Sequence, residues 1–250
     1  MAPIYIHRIV TISEVQTDKA LKRFYGGKDP RDLPRYTYPE AARATGVPAT
    51  TIHAWVRGQA YRRKHDEGYF EPVIRSPDGD GRLSFFNLIE VHILRSLRMN
   101  AEPPVRLQTV RKAMTIAERH YGIKRLLMHE ELRHGAGELF LDRLVELESL
   151  SPSRQLGMRA MLVDYLKRVT FAKKLPIDFF PIERLTGNAG RKLILVSPLI
   201  SFGRAVVART GISTCAIVDR LMVGESEESV IRDYGLQKAE LEEALVYEAA

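Results

Sequence analysis

Thr37-Tyr-Pro-Glu-Ala-Ala-Arg-Ala-Thr-Gly46-Val-Pro-Ala-Thr-Thr-Ile-His-Ala-Trp-Val-Arg57 is the stretch on which the reading of the fold turns. Thr37 and Glu40 have the spacing of a capping box, in which a hydroxyl takes the third helical amide and the carboxylate reaches back, and Pro39 is tolerated in a first turn. A short helix is therefore expected to start there. Ala41, Ala42 and Ala44 keep it slim, Gly46 permits a sharp reversal, and Val47-Pro48 lead into a second helix running to Arg57. This is helix-turn-helix spacing. Ile52, Trp55 and Val56 fall on one face of the second helix, which leaves Thr50, Thr51, His53 and Arg57 pointing outward. In such a unit the second helix enters the major groove, where arginine pairs with guanine and threonine meets thymine methyls or phosphate.

Downstream, Tyr69–Arg75 and Arg82–Phe86 bracket the turn-rich Ser76–Gly81, and the pair reads as two strands of a wing. Asn87 with Glu90 announces the next helix, whose apolar side is Val91, Leu94 and Leu97. A further helix is expected from Leu107 to His120, with Val110, Ala113, Met114, Ala117 and Tyr121 along its buried stripe. Charge supports a polyanionic partner for this end: residues 1–65 hold twelve basic and five acidic side chains. The candidate DNA contacts are Arg43, Thr50, Thr51, His53, Arg57, Arg62, Arg63 and Lys64. Together these features resemble the winged helix-turn-helix of MerR-like regulators, and more closely the N-terminal DNA-binding domain of VapB-type antitoxins.

The middle of the chain is less legible. Leu139–Leu141 and Leu144–Leu147 read as short strands, and a helix follows Ser151-Pro152 with Leu156, Ala160, Val163 and Leu166 on its buried face. Phe171–Ile182, with its prolines, reads as an extended excursion, and 184–190 as a loop.

The rear is the most specific part. Leu199-Ile-Ser-Phe-Gly-Arg204, Thr210-Gly-Ile-Ser-Thr-Cys-Ala-Ile-Val-Asp-Arg220, Gly224-Glu-Ser226 and Tyr234-Gly-Leu236 occur in order over about fifty residues. They resemble the small helical module of antitoxins from bacterial and archaeal toxin–antitoxin pairs. A strand at Lys192–Val196 leads into helices placed near 214–223, 227–234 and 237–248, with Ser226 capping the second and Gly235 closing it. Two positions depart from that family's pattern: Ala205 stands where proline follows Phe-Gly-Arg, and Arg209 stands where glycine precedes Thr-Gly. Residues 211–250 carry nine acidic and three basic side chains, which opposes phosphate contact by this end. The resemblance implies a PIN-like ribonuclease as the partner toxin, an enzyme holding magnesium with clustered carboxylates. Arg204 and Arg209 are the cations to insert there, with Phe202, Glu227 and Glu228 as further toxin contacts. The bland alternative is that both arginines merely anchor their loop to the acidic helices.

The expected fold class is mainly α with small β elements (α+β). It divides into a basic arm (1–34), a winged helix-turn-helix (35–121), a middle α+β scaffold and dimerisation region (122–190) and a C-terminal tri-helical module (191–250), with the two ends separable. No uncharged apolar run is long enough to span a bilayer and no secretion signal opens the chain, so a cytoplasmic protein without a membrane partner is expected. Cys215 is the single cysteine, which excludes an internal disulfide and reads as a small buried side chain. The histidines of His129-Glu-Glu-Leu-Arg-His134 are five apart, wrong for a zinc-protease helix, and no cofactor, metal or catalytic residue is expected. The expected partners are thus operator DNA, a cognate PIN-like toxin and a second copy of the chain. The alternatives are a stand-alone MerR-like regulator whose C-terminal half senses a ligand, and an interaction adaptor with a degenerate helix-turn-helix.

Overall fold

The computed structural model describes residues 23–62, 67–77, 81–98, 104–182 and 191–250. The chain is mainly α with two small antiparallel sheets. Helix α1 (Tyr38–Thr45) starts on the capping box read from the sequence, with Glu40 taking the Thr37 amide at 2.7 Å. Gly46 ends it in the left-handed conformation, φ +68°, and a Cβ there would stand 2.5 Å from the Arg95 guanidinium. That guanidinium donates to the Thr45 carbonyl at 2.7 Å, so the turn is both glycine-dependent and clamped. Helix α2 (Ala49–Arg57) then packs Ile52, Trp55 and Val56 inward, a burial worth roughly 2 kcal/mol per large side chain.

The hairpin beside α2 lies earlier than the sequence suggested. Strands β1 (Gln59–Arg62) and β2 (Glu67–Phe70) pair antiparallel, with Gln59 opposite Phe70. Tyr69 and Phe70 were rightly read as strand, but their partner is upstream. Past β2 the chain returns to α2, where the amides of Val73 and Ile74 donate to the Trp55 carbonyl at 2.9 and 3.1 Å. Of the expected second wing strand, Leu83 forms only an isolated bridge with Tyr36. Phe85 and Phe86 already belong to helix α3 (Phe85–Arg98), which starts two residues before Asn87. The reason is local: Ser84 and Asn87 cap each other reciprocally, each side chain accepting the other's amide at 3.0–3.2 Å.

Helix α3 is the spine of the molecule. Twelve of its fourteen residues are buried, far more than the single stripe expected, because it contacts α1 on one side and the middle of the chain on the other. Its buried carboxylate is answered. Glu90 takes both Nε and Nη2 of Arg125 at 2.9 Å, Asp32 takes Nη1 at 2.8 Å, and the guanidinium groups of Arg31 and Arg125 each lie over the Phe86 ring.

Helix α4 (Leu107–Tyr121) buries Val110, Ala113, Met114 and Ala117 as expected, while Tyr121 is exposed. Residues 139–147 are not strands. They form helix α5 (Gly135–Glu148), because Ala136, Phe140 and Leu144 recur every four residues and bury together against α4. Helix α6 (Pro152–Leu166) exists as expected, but of its expected buried face only Leu166 is buried, together with Met158, Leu162 and Tyr165, while Leu156, Ala160 and Val163 face outward. The extended excursion resolves into strands β3 (Val169–Ala172) and β4 (Leu175–Phe179), joined at Lys173 and Lys174, both at positive φ as a tight hairpin turn requires.

Strands β5 (Ile194–Val196) and β6 (Ala205–Val207) complete a sheet of order β3-β4-β5-β6. Phe179 pairs with Val196, so this sheet runs across the residue 190 boundary drawn from the sequence. Helices α7 (Thr214–Met222), α8 (Glu227–Tyr234) and α9 (Lys238–Glu248) close the chain within two residues of their expected places. Ser226 caps α8, accepting the Ser229 amide at 3.2 Å, and Gly235 ends it at φ +61°. Among the described residues no helix is long and apolar enough to cross a membrane.

Candidate functional site

Two surfaces collect the residues singled out in the sequence. The first is the outer face of α2. With Ile52, Trp55 and Val56 committed to the core, Thr50, His53 and Arg57 are exposed and Thr51 is half-buried. Tyr38 of α1 meets the His53 ring edge-on at 5.3 Å. The hairpin is fixed to the end of this helix by the Tyr69 hydroxyl, which donates to the Arg57 carbonyl. Gly58 makes that approach possible: at φ +75° a Cβ would lie 2.3 Å from the Phe70 carbonyl oxygen. A helix with small polar and cationic side chains outward, braced by a two-stranded hairpin, can lie in a major groove with the hairpin against the backbone. Arg62 lies on β1, whereas Arg63 and Lys64 lie outside the described residues.

Arg43 is placed elsewhere. It projects from α1 to form an ion pair with Glu248 of α9, both side chains being mostly buried. Glu248 also accepts from the Thr214 hydroxyl, and the Tyr36 hydroxyl donates to the Gly203 carbonyl at 2.9 Å. The first and last helical units are therefore clasped together. No local pattern in the sequence marks Tyr36 or Glu248 for this role, because each contact joins residues far apart in the chain.

The second surface is the β5–β6 connection. Ser201, Phe202 and Gly203 take three successive positive φ values, 47°, 52° and 79°, the first two at non-glycine residues. Phe202 is 64% exposed at the crest of that turn, next to the exposed Leu199, Ile200 and Arg204. Left-handed backbone at an aromatic residue costs on the order of 1 kcal/mol and clusters where a surface is used. Among the described residues Arg204 forms no ion pair. Arg209 differs: its Nε and Nη2 grip the buried Glu240 carboxylate at 2.9 and 2.7 Å, and Nη2 also reaches the Gly235 carbonyl at 2.6 Å. That bond to Glu240 raises the Arg209 pKa. Arg209 thus anchors its loop to α9, and its φ is not left-handed, so arginine fits where the family pattern has glycine. Glu227 and Glu228 are exposed in the first turn of α8. Cys215 is exposed on α7 rather than buried, because Thr214 and Ile217 take the inward positions; its thiol donates to Asp219 at 3.4 Å, and burial together with that carboxylate pushes its pKa up. The described residues contain no group of three or more His, Cys, Asp or Glu placed to hold a metal ion.

Residues 34–114 match a family described as "Putative DNA-binding HTH domain". Residues 194–247 match one described as "Protein of unknown function (DUF433)". A relative from Mycobacterium tuberculosis, "Putative antitoxin VapB45", is 25% identical over 230 residues, which is 86% of this chain and 93% of that protein. A crystal structure of Rv2018 from the same organism, 22% identical, superposes with a TM-score of 0.62 over 86% of this chain and 98% of that one. The two chains share a fold. The first family match covers α1 to the middle of α4, and the second begins at β5 and ends within α9, so the clasp joins the two matched regions.

Proposed function

We propose that this chain is a DNA-binding antitoxin: the helix-turn-helix binds the operator of its own operon and represses it, and the C-terminal module binds and neutralises a PIN-like ribonuclease. The observation that carries this reading is the exposed Thr50, His53 and Arg57 on a helix-turn-helix, in a chain that aligns along almost the full length of a protein named as an antitoxin. A second copy of the chain is part of the proposal. The outward stripe Leu156, Ala160 and Val163 on α6 supplies an apolar face for it, and a two-fold dimer would read half-sites about one helical turn apart.

Gel-shift titration on DNA from the chain's own upstream region, at two salt concentrations, tests the reader. Arg57→Ala is expected to relax selectivity by about 1–3 kcal/mol, whereas Arg43→Ala should leave selectivity intact because Glu248 already holds that guanidinium. Sedimentation of the same complex should give two chains per operator. Absence of any sequence-selective shift, or identical titrations for wild type and Arg57→Ala, overturns α2 as the recognition helix.

Neutralisation is tested by co-expression with the product of the adjacent gene, where this proposal expects a PIN-like ribonuclease. Phe202 and Arg204 form the contact surface, with Arg204 entering the enzyme's carboxylate cluster. Arg204→Ala is expected to abolish growth rescue with unchanged thermal stability, since removing an interfacial cation leaves opposing charges unpaired. Arg209→Ala should instead lower stability by stranding the buried Glu240. Full rescue by Arg204→Ala moves the inhibitory surface elsewhere.

A further inference from the structure

The middle of the chain holds a cavity of about 830 Å³, open on one side, between the turn Glu130–Arg133, α5, α6 and the start of β3. Pockets of this size accommodate small organic molecules. One wall is apolar, built from Leu162, Leu166 and Phe171. The other carries Arg133, Arg159, Lys167, Arg168 and Lys192, with Glu130 and Glu138 as its carboxylates. Two of its cations have acidic neighbours: Arg159 meets Glu138 at 3.6 Å, and Lys167 meets Asp164 at 2.8 Å. Arg133, Arg168 and Lys192 line the same cleft.

Arg133 lies over the Phe171 ring at 4.5 Å and uses one nitrogen, Nη2, to donate to the carbonyls of Leu166 and Val169 at 2.6 and 2.9 Å. Its Nε and Nη1 make no hydrogen bond among the described residues. Arg168 is buried, and its guanidinium donates to the carbonyls of Phe180, Pro181 and Arg191. Carbonyl oxygens orient the Arg133 guanidinium but do not cancel its charge. Lys192 holds its ammonium over the Phe180 ring at 4.7 Å. Burial, then Arg168 and Arg133, hold its pKa below the usual lysine range, while Asp178 acts in the opposite sense. Like charges close together in a partly desolvated cleft repel, and an anion bridging them removes that cost.

We propose that this cleft is a binding site for a small organic dianion, its carboxylate or phosphate oxygens on Arg133 and Lys192 and its apolar body along Leu162, Leu166 and Phe171. The inference is independent of the roles assigned to the two ends of the chain. Arginine offers a planar fork to the oxygens and lysine a point charge, so a two-oxygen head engages both. The stack on Phe171 keeps the Arg133 guanidinium in one plane before the ligand arrives, which lowers the ordering cost of binding.

Calorimetry on the full chain decides it, with phenyl phosphate and isophthalate as the two probes and sodium chloride at equal ionic strength as the control. At least one probe is expected to bind at one site per chain, and which of them binds tells phosphate from dicarboxylate recognition. Lys192→Gln, a change at an exposed side chain, should weaken that binding about tenfold without altering the unfolding curve. Arg133→Lys should keep the charge but lose the fork and weaken binding as well, and its unfolding curve shows whether the fold is kept. No binding of either probe at millimolar concentration overturns the proposal, as does equal binding by wild type and Lys192→Gln. Displacement of the bound probe by random-sequence duplex DNA also overturns it, by making the cleft a nucleic-acid surface.

Discussion

Replacing Arg125 with alanine should remove about 3 kcal/mol or more of unfolding free energy, the range found when one partner of a buried ion pair is deleted. Glu90 sits inside the spine helix α3 with only 7% of its side chain exposed, and both Arg125 contacts to it are bidentate at 2.9 Å. Asn87 supplies one further donor at 2.8 Å, too little to hold a charged carboxylate in the core. The same substitution frees Asp32 and removes one of the two guanidinium groups packed on Phe86. Urea unfolding should show a lower midpoint at unchanged m-value. Glu90→Leu combined with Arg125→Met should recover much of the loss, because it removes both charges at once. A single-substitution loss under about 1 kcal/mol would show that the pair is effectively solvated.

Acid should destabilise the protein through His92. Burial lowers its pKa from 6.5 to about 3; Arg95 and Arg168 act in the same sense, and the bond to the Tyr165 carbonyl at 3.0 Å acts against them. The ring is neutral in the folded chain, donating from Nε2, with Nδ1 buried and unpartnered among the described residues. Below about pH 6.5 the unfolded chain takes a proton that the folded chain refuses, so stability present above that pH is lost as pH falls towards 3, at about 1.4 kcal/mol per unit. His92→Phe retains a ring between Tyr165 at 4.6 Å and Phe179 at 4.7 Å and carries no proton. Urea midpoints measured from pH 7 to pH 4 should slope steeply for wild type and less for the variant. Parallel slopes would assign the acid sensitivity to other groups.

Features set by neighbouring residues were legible in the sequence. The Thr37/Glu40 box, the Gly46 reversal, the Ser226 cap and the Gly235 stop all depend on side chains within four positions of the backbone they satisfy. Features set by distant partners were not. Tyr69 and Phe70 look like a strand in isolation, yet only the pairing with Gln59 and Ala60, a run without apolar alternation, says which side the hairpin lies on. Leu139–Leu147 is apolar enough for either period, and the four-residue recurrence through Ala136 that makes it a helix begins outside the run. On α6 two apolar faces compete, and α3 takes the one bearing Met158, Leu162 and Tyr165. Arg204 and Arg209 are alike in sequence. The buried Glu240, thirty-one residues downstream of Arg209, separates an anchoring cation from an exposed one.

The clasp has a bearing on time. Tyr36 and Gly203 are 167 residues apart, and Arg43 and Glu248 are 205 apart. Contacts of such separation form late, since a long loop must close before they contribute anything. At about 5–20 residues per second, the ribosome needs roughly ten to forty seconds after making α1 to deliver the residues that lock it in place. For that interval the helix-turn-helix unit exists without its final support, which arrives only when the helix that holds Arg43 has been made.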